Sequence, residues 1–155
     1  MGMFLTLLGA SIAVALPSIG SSKGVGVASE AANGLTAIDP SKFGKLLVLQ
    51  LLAGTQGLYG FIISIMVILQ TGILGGSAVD STQKGALYFA ACLAMALGGL
   101  FSAIYQGKVC ATGIQIVAKQ PQDSSKAIVS ASLVELYALL SFIISFLIII
   151  NITKI

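Results

Sequence analysis

The chain has 155 residues, of which 57% are hydrophobic and 8% charged, with 18 glycines, no tryptophan and no histidine. A soluble domain of this size carries roughly a quarter of its residues as charges, so the composition excludes one and indicates an integral membrane protein. The net charge of +3 comes from lysine alone. These lysines are scattered and have no aromatic platform, which argues against nucleic-acid binding. The absence of histidine removes the commonest metal ligand and the usual neutral-pH base.

Four long apolar segments are expected as spans: Met3 to Ile38, Phe43 to Ile73, Gly85 to Val117 and Ala127 to Ile152. Each exceeds the ~20 helical residues that a hydrocarbon core requires. Lipid admits only helices or closed barrels, and period-2 alternation is missing, so all four read as helices. The N-terminal MGMFLTLLGASIAVALPSIG has no basic leader and reads as part of the first span. The separators IDPSK, LGGSAVDSTQK and AKQPQDSSK are short and make neighbouring spans antiparallel. Cys92 and Cys110 fit no metal or redox spacing and read as small buried helix residues.

The predicted fold is an all-α membrane protein of four transmembrane helices, arranged as two duplicated antiparallel hairpins, residues 1–78 and 79–155. A shift of 81 residues takes Pro40 to Pro121, Lys45 to Lys126 and Phe61-Ile62-Ile63-Ser64 to Phe142-Ile143-Ile144-Ser145. The copies point the same way, unlike inverted transporter repeats. Lys42, Lys45, Lys119 and Lys126 flank the proline turns, against Lys84 and Lys154 at the other end. The lysine bias puts the Pro40 and Pro121 turns in the cytoplasm and both termini outside. Lys23 and Lys108 fall at a depth near the middle of the spans and do not contribute to that count.

Small residues recur every four positions in the first span (Gly20, Gly24, Ala28, Ala32) and the third (Gly99, Ala103, Gly107, Ala111). Such stripes let backbones approach closely. Two uses are open: packing inside one four-helix bundle, or an inner layer of slim helices in a ring of many copies.

In SASLVELYALLSFIIS, residues 130–145, Glu135 is the single charge. It lies roughly 12 Å along its helix from Ala127 at 1.5 Å per residue. An intramembrane carboxylate is costly and has to be protonated, paired or bound to a cation, which makes it a functional-site candidate. Gln106 precedes Pro121 by about as many residues as Glu135 follows it, so the two share a height. Thr55 and Gln56 follow Pro40 by a similar distance, and the repeat brings them to the same layer. Tyr59 is one turn beyond Thr55, where its hydroxyl reaches a carboxylate oxygen. The same shift puts Gly54 opposite Glu135, so only one copy has the carboxylate. One negative charge among neutral oxygens suits a monovalent cation such as Na+. A proton on Glu135 is the alternative. A small stand-alone four-helix cation transporter or channel is a third reading. No GxxxxGK[ST] occurs, so no catalytic nucleotide site is expected in this chain.

LQLLAGTQGLYGF, LFSAIYQGKVCATGIQI, LVELYALLSF and GSSKGVGVASEA resemble the sodium-type K subunit, the duplicated c-type proteolipid, of bacterial V-type ATPases. The resemblance implies a homo-oligomeric rotor ring in the plasma membrane. It would work with a membrane stator subunit bearing an arginine, with central-stalk subunits and with lipid, and would carry Na+ (alternatively H+) without an organic cofactor. It implies Glu135, Gln106, Gln56, Thr55 and the Leu52 carbonyl as ion ligands, with Tyr59 steadying the glutamate. Ala53 stands where the family has a familiar proline that would free a backbone carbonyl. Leu136 stands where a threonine can occur.

Overall fold

A computed structural model describes residues 1–76 and 79–152. The expected boundary between residues 78 and 79 adjoins residues that are not described, and Lys154 lies outside the described set. The elements are α1 (Gly2–Ile38), α2 (Phe43–Leu52), α3 (Thr55–Thr71), α4 (Thr82–Lys119) and α5 (Ser124–Ile152). They make four stretches long and apolar enough to cross a bilayer, the second built from α2 and α3 together.

The second span is therefore not the continuous helix expected over Phe43 to Ile73. It breaks at Ala53 and Gly54, where the Gly54 amide bonds back three residues to the Leu51 carbonyl at 3.0 Å. It also ends two residues early, because Gly72 adopts φ +67°, a left-handed cap that terminates the helix.

The turns are built alike. Pro40 and Pro121 each open a short 3-10 turn. Asp39 caps the first, its Oδ1 accepting from the Ser41 amide at 3.2 Å and the Ser41 hydroxyl at 2.5 Å. Those bonds and the neighbouring Lys42 ammonium hold the Asp39 carboxyl below the usual carboxylate range. Lys42 Nζ donates to the Ala118 carbonyl at 3.0 Å, and Lys45 Nζ to the Pro121 carbonyl at 2.7 Å. Lysines near free carbonyls at a helix C-terminus complement its dipole. They also fasten the two turns to each other, so both hairpins point the same way.

The small-residue stripes are spent inside the chain. α1 and α4 run parallel with backbones in contact: Gly2 against Gly85, Gly9 against Phe89, Gly20 against Leu100, Gly24 against Gly107. A Cβ on Gly107 would collide with the Gly24 backbone. Gly20, Gly24, Ala28 and Ala32 are all buried, as are Gly99, Ala103 and Gly107. Ala111 is not; the buried line passes to Cys110, because α4 keeps a spacing of three and four residues rather than a strict four. Cys92 and Cys110 are both buried and free. α5 lies along α4, where the Ser145 hydroxyl donates to the Ala91 carbonyl at 2.7 Å and accepts from the Met95 amide at 3.0 Å.

Candidate functional site

The helix break creates the site. Ending α2 leaves carbonyls without amide donors, and restarting at Thr55 leaves amides without acceptors. One orphan amide, that of Gly57, donates to the Ser21 hydroxyl of α1 at 2.9 Å. This is a helix cap supplied by another helix. One orphan carbonyl, that of Leu52, faces the Thr55 hydroxyl at 3.1 Å. No proline is needed: Ala53 is buried at the break, its carbonyl packed against Gly24.

Glu135 comes to this break from α5 and is 9% exposed. Its Oε1 accepts from Thr55 Oγ1 at 2.7 Å and from the Tyr59 hydroxyl at 2.6 Å. Its Oε2 faces Gln106 Nε2 at 3.4 Å. Gln56 and Gln106 are both fully buried. Gln56 Nε2 donates to Gln106 Oε1 and to Ser102 Oγ, the latter at 3.2 Å. The Tyr59 ring is braced by Phe142 at a centroid distance of 5.6 Å, which aims its hydroxyl at the carboxylate.

All six residues expected at the site, Leu52, Thr55, Gln56, Tyr59, Gln106 and Glu135, thus meet in one layer. Two neighbours were not anticipated. Ser102 links Gln56 to the Val134 carbonyl, to which it donates at 3.0 Å; its position one turn before Gln106 was the available signal. Ser21 caps α3 from α1, and no sequence period announces that contact. Leu136 points outward at 51% exposure, so the absence of a threonine there does not touch the site.

The hydroxyl of Thr55 has a single proton, yet three acceptor oxygens surround it: Glu135 Oε1, the Leu52 carbonyl, and Gln56 Oε1 at 3.4 Å. Only one of them can receive that proton. Three oxygens around Thr55 with one formal negative charge among them match a hard, singly charged cation, while the Gln106 amide nitrogen faces the other carboxylate oxygen.

Fold and site together define a multi-pass α-helical membrane protein with a carboxylate held by hydrogen-bonding side chains from two other spans. The chain belongs to the ATP synthase C-subunit family, whose model matches residues 8–67 and again residues 89–148. It is 47% identical over 150 residues to the V-type sodium ATPase subunit K of Enterococcus hirae, covering 97% of this chain and 93% of that one. It is 36% identical over 152 residues to the A-type ATP synthase subunit K of Methanocaldococcus jannaschii, covering 98% of this chain and 64% of that one.

Proposed function

We propose that the chain is the ring-forming subunit of a V-type rotary ATPase and carries Na+ across the membrane on Glu135. The observation that carries the ion assignment is the trio of acceptor oxygens around the one-proton hydroxyl of Thr55. Likeness to a sodium ATPase subunit supports it. Glu135, Thr55, Gln56, Gln106 and the Leu52 carbonyl would be the ligand set, and Tyr59 would hold the carboxylate in position.

In this reading the cargo ion neutralises Glu135, which lets the site face lipid while the ring turns. At the stator a fixed cation, an arginine in the family, competes for the carboxylate and releases the ion. The next aqueous half-channel reloads it. Binding has to survive the lipid and still release at the stator, a compromise that channels share. ATP is hydrolysed by other chains of the complex. The two hairpins are read as a duplication in which Gly54 has taken the carboxylate position of the first copy. The lysines of the proline turns orient those turns to the cytoplasm.

A proton-carrying ring is the second reading, favoured by the low exposure of Glu135, since burial stabilises a neutral carboxyl. Carbodiimide labelling of the purified protein separates the two. The reagent modifies a protonated carboxyl in an apolar site. Protection of Glu135 by Na+, stronger as pH rises, is expected for the sodium site. Labelling that Na+ never slows rejects it in favour of the proton.

A further inference from the structure

Many hydroxyls of the spans donate back to their own helix, as Ser11 does to the Leu7 carbonyl and Ser141 to the Tyr137 carbonyl. Ser102 does not. It is 6% exposed, and its proton crosses from α4 to the Val134 carbonyl of α5 at 3.0 Å. A hydroxyl has a single proton, so Ser102 Oγ can only accept from its other neighbour, Gln56, at 3.2 Å. The end of the Gln56 amide that meets Ser102 has to be the nitrogen. The oxygen is turned to the opposite side, where Gln56 Oε1 lies 3.4 Å from Thr55 Oγ1. The choice then passes to Gln106. Gln56 Nε2 also donates to Gln106 Oε1, which leaves Gln106 Nε2 facing Glu135 Oε2 at 3.4 Å. Both glutamines are fully buried and take their partners from this chain of bonds. The chain begins at the backbone of Val134 and ends on the side chain of the next residue, Glu135.

We propose that Ser102 determines the ion specificity of the site: by committing its proton to Val134, it sets which end of each glutamine amide faces the ion. This rests on the sodium reading above. An amide turned end for end keeps nearly the same shape, but donor and acceptor change places. In the orientation that Ser102 selects, Gln56 adds an acceptor oxygen to the Leu52 carbonyl and Glu135 Oε1 around Thr55. Turned the other way, it would put N–H hydrogens among those oxygens. A hard cation takes oxygen ligands, and an N–H dipole repels it. Without Ser102 the two glutamines could turn together and keep a bond between them, Gln106 Nε2 then donating to Gln56 Oε1. The long contact from Gln106 Nε2 to Glu135 would be the weak restraint left on the pair.

Ser102 acts through the Gln56 nitrogen and is a positioning residue, not a ligand. It lies one turn from Gln106 on the same face of α4, which is why one hydroxyl reaches both Gln56 and α5. Its bond to Val134 also ties α4 to α5, and that tie alone is the competing account of its role. Ser145 supplies the comparison. It ties the same two helices, through Ala91 and Met95, and touches neither glutamine.

The test is a Na+ titration of carbodiimide labelling at Glu135 in the purified full-length protein. Ser102→Ala is expected to raise the Na+ needed for half protection by roughly three- to tenfold, the weight of one net hydrogen bond. Ser102→Cys nearly keeps the volume, but a thiol donates and accepts weakly. The same rise is expected there, and this variant decides the matter if the alanine variant aggregates. Ser102→Thr keeps the hydroxyl, and its methyl has the groove that Ser102 borders, beside Phe101 and Tyr105. Native affinity is expected for it. Native protection in Ser102→Ala or Ser102→Cys overturns the proposal and leaves the sodium reading standing. A loss in Ser102→Thr equal to that in Ser102→Ala overturns it too, by assigning the effect to packing. An equal loss in Ser145→Ala does the same, by assigning it to the tie between α4 and α5. If Na+ fails to protect the unmodified chain, the sodium reading itself falls and takes the proposal with it.

Discussion

Thr55 and Glu135 are 80 residues apart in sequence and 2.7 Å apart in space, one at the restart of a broken helix and the other in an unbroken one. The hydroxyl is the hinge of the site. It bonds the carboxylate and stands at the centre of the oxygens that a cation would bind. Hydrogen bonds to charged groups contribute about 1.5–3 kcal/mol. Thr55→Ala is expected to weaken Na+ protection of Glu135 by about tenfold or more, with Thr55→Ser retaining most of it. Sodium titrations of carbodiimide labelling measure both; equal affinity in the alanine variant rejects the ligand role.

Gln106 separates sodium from proton. Gln106→Leu removes one amide dipole beside Glu135 and leaves Gln56 Nε2 with Ser102 as its remaining partner. A proton site is still labelled after this change, at a rate that Na+ does not alter. A sodium site loses protection at concentrations that saturate the native chain. The same labelling series gives the answer.

Tyr59→Phe deletes the 2.6 Å bond to Glu135 but keeps the ring against Phe142. The carboxylate loses one of the hydroxyls that hold it in position. Weaker Na+ protection of Glu135 against carbodiimide is expected. Unchanged protection would mean that the tyrosine only packs.

Gly24 and Gly107 bring two backbones together, and Gly107→Leu should disrupt the fold. A side chain there meets backbone, which cannot swing aside, and overpacking of a close interface costs about 1–3 kcal/mol or more. Loss of folded protein in detergent, seen as aggregation on size-exclusion chromatography, is the expected result. Gly26→Ala, on the open side of α1, should leave the subunit fold intact.

Ser145→Ala cuts the bonds to Ala91 and Met95 that join α5 to α4. Interhelical hydrogen bonds in membranes average only about 0.6 kcal/mol. A drop of a few degrees in thermal stability is expected, with Na+ protection unchanged because the serine lies more than two turns from Glu135.

Much of this protein is set by its sequence alone. Apolar runs longer than a bilayer is thick can only be helices. Short separators between them force hairpins, and equal distances from Pro40 and Pro121 put Thr55, Gln56, Gln106 and Glu135 in one layer. Those are consequences of chain geometry, which length and spacing determine. The helix break at Ala53 and Gly54 belongs to the tertiary structure. Without a proline, Gly54 and the Thr55 hydroxyl turned back to Leu52 only weaken α2 locally, and the break stands on the Ser21 cap from α1. The use of the glycine stripes was likewise undecided by spacing, since the same pattern serves contacts within a chain or between chains. Packing settled it by pressing Gly24 onto Gly107, which fixes how closely α1 and α4 approach and so which oxygens reach Glu135.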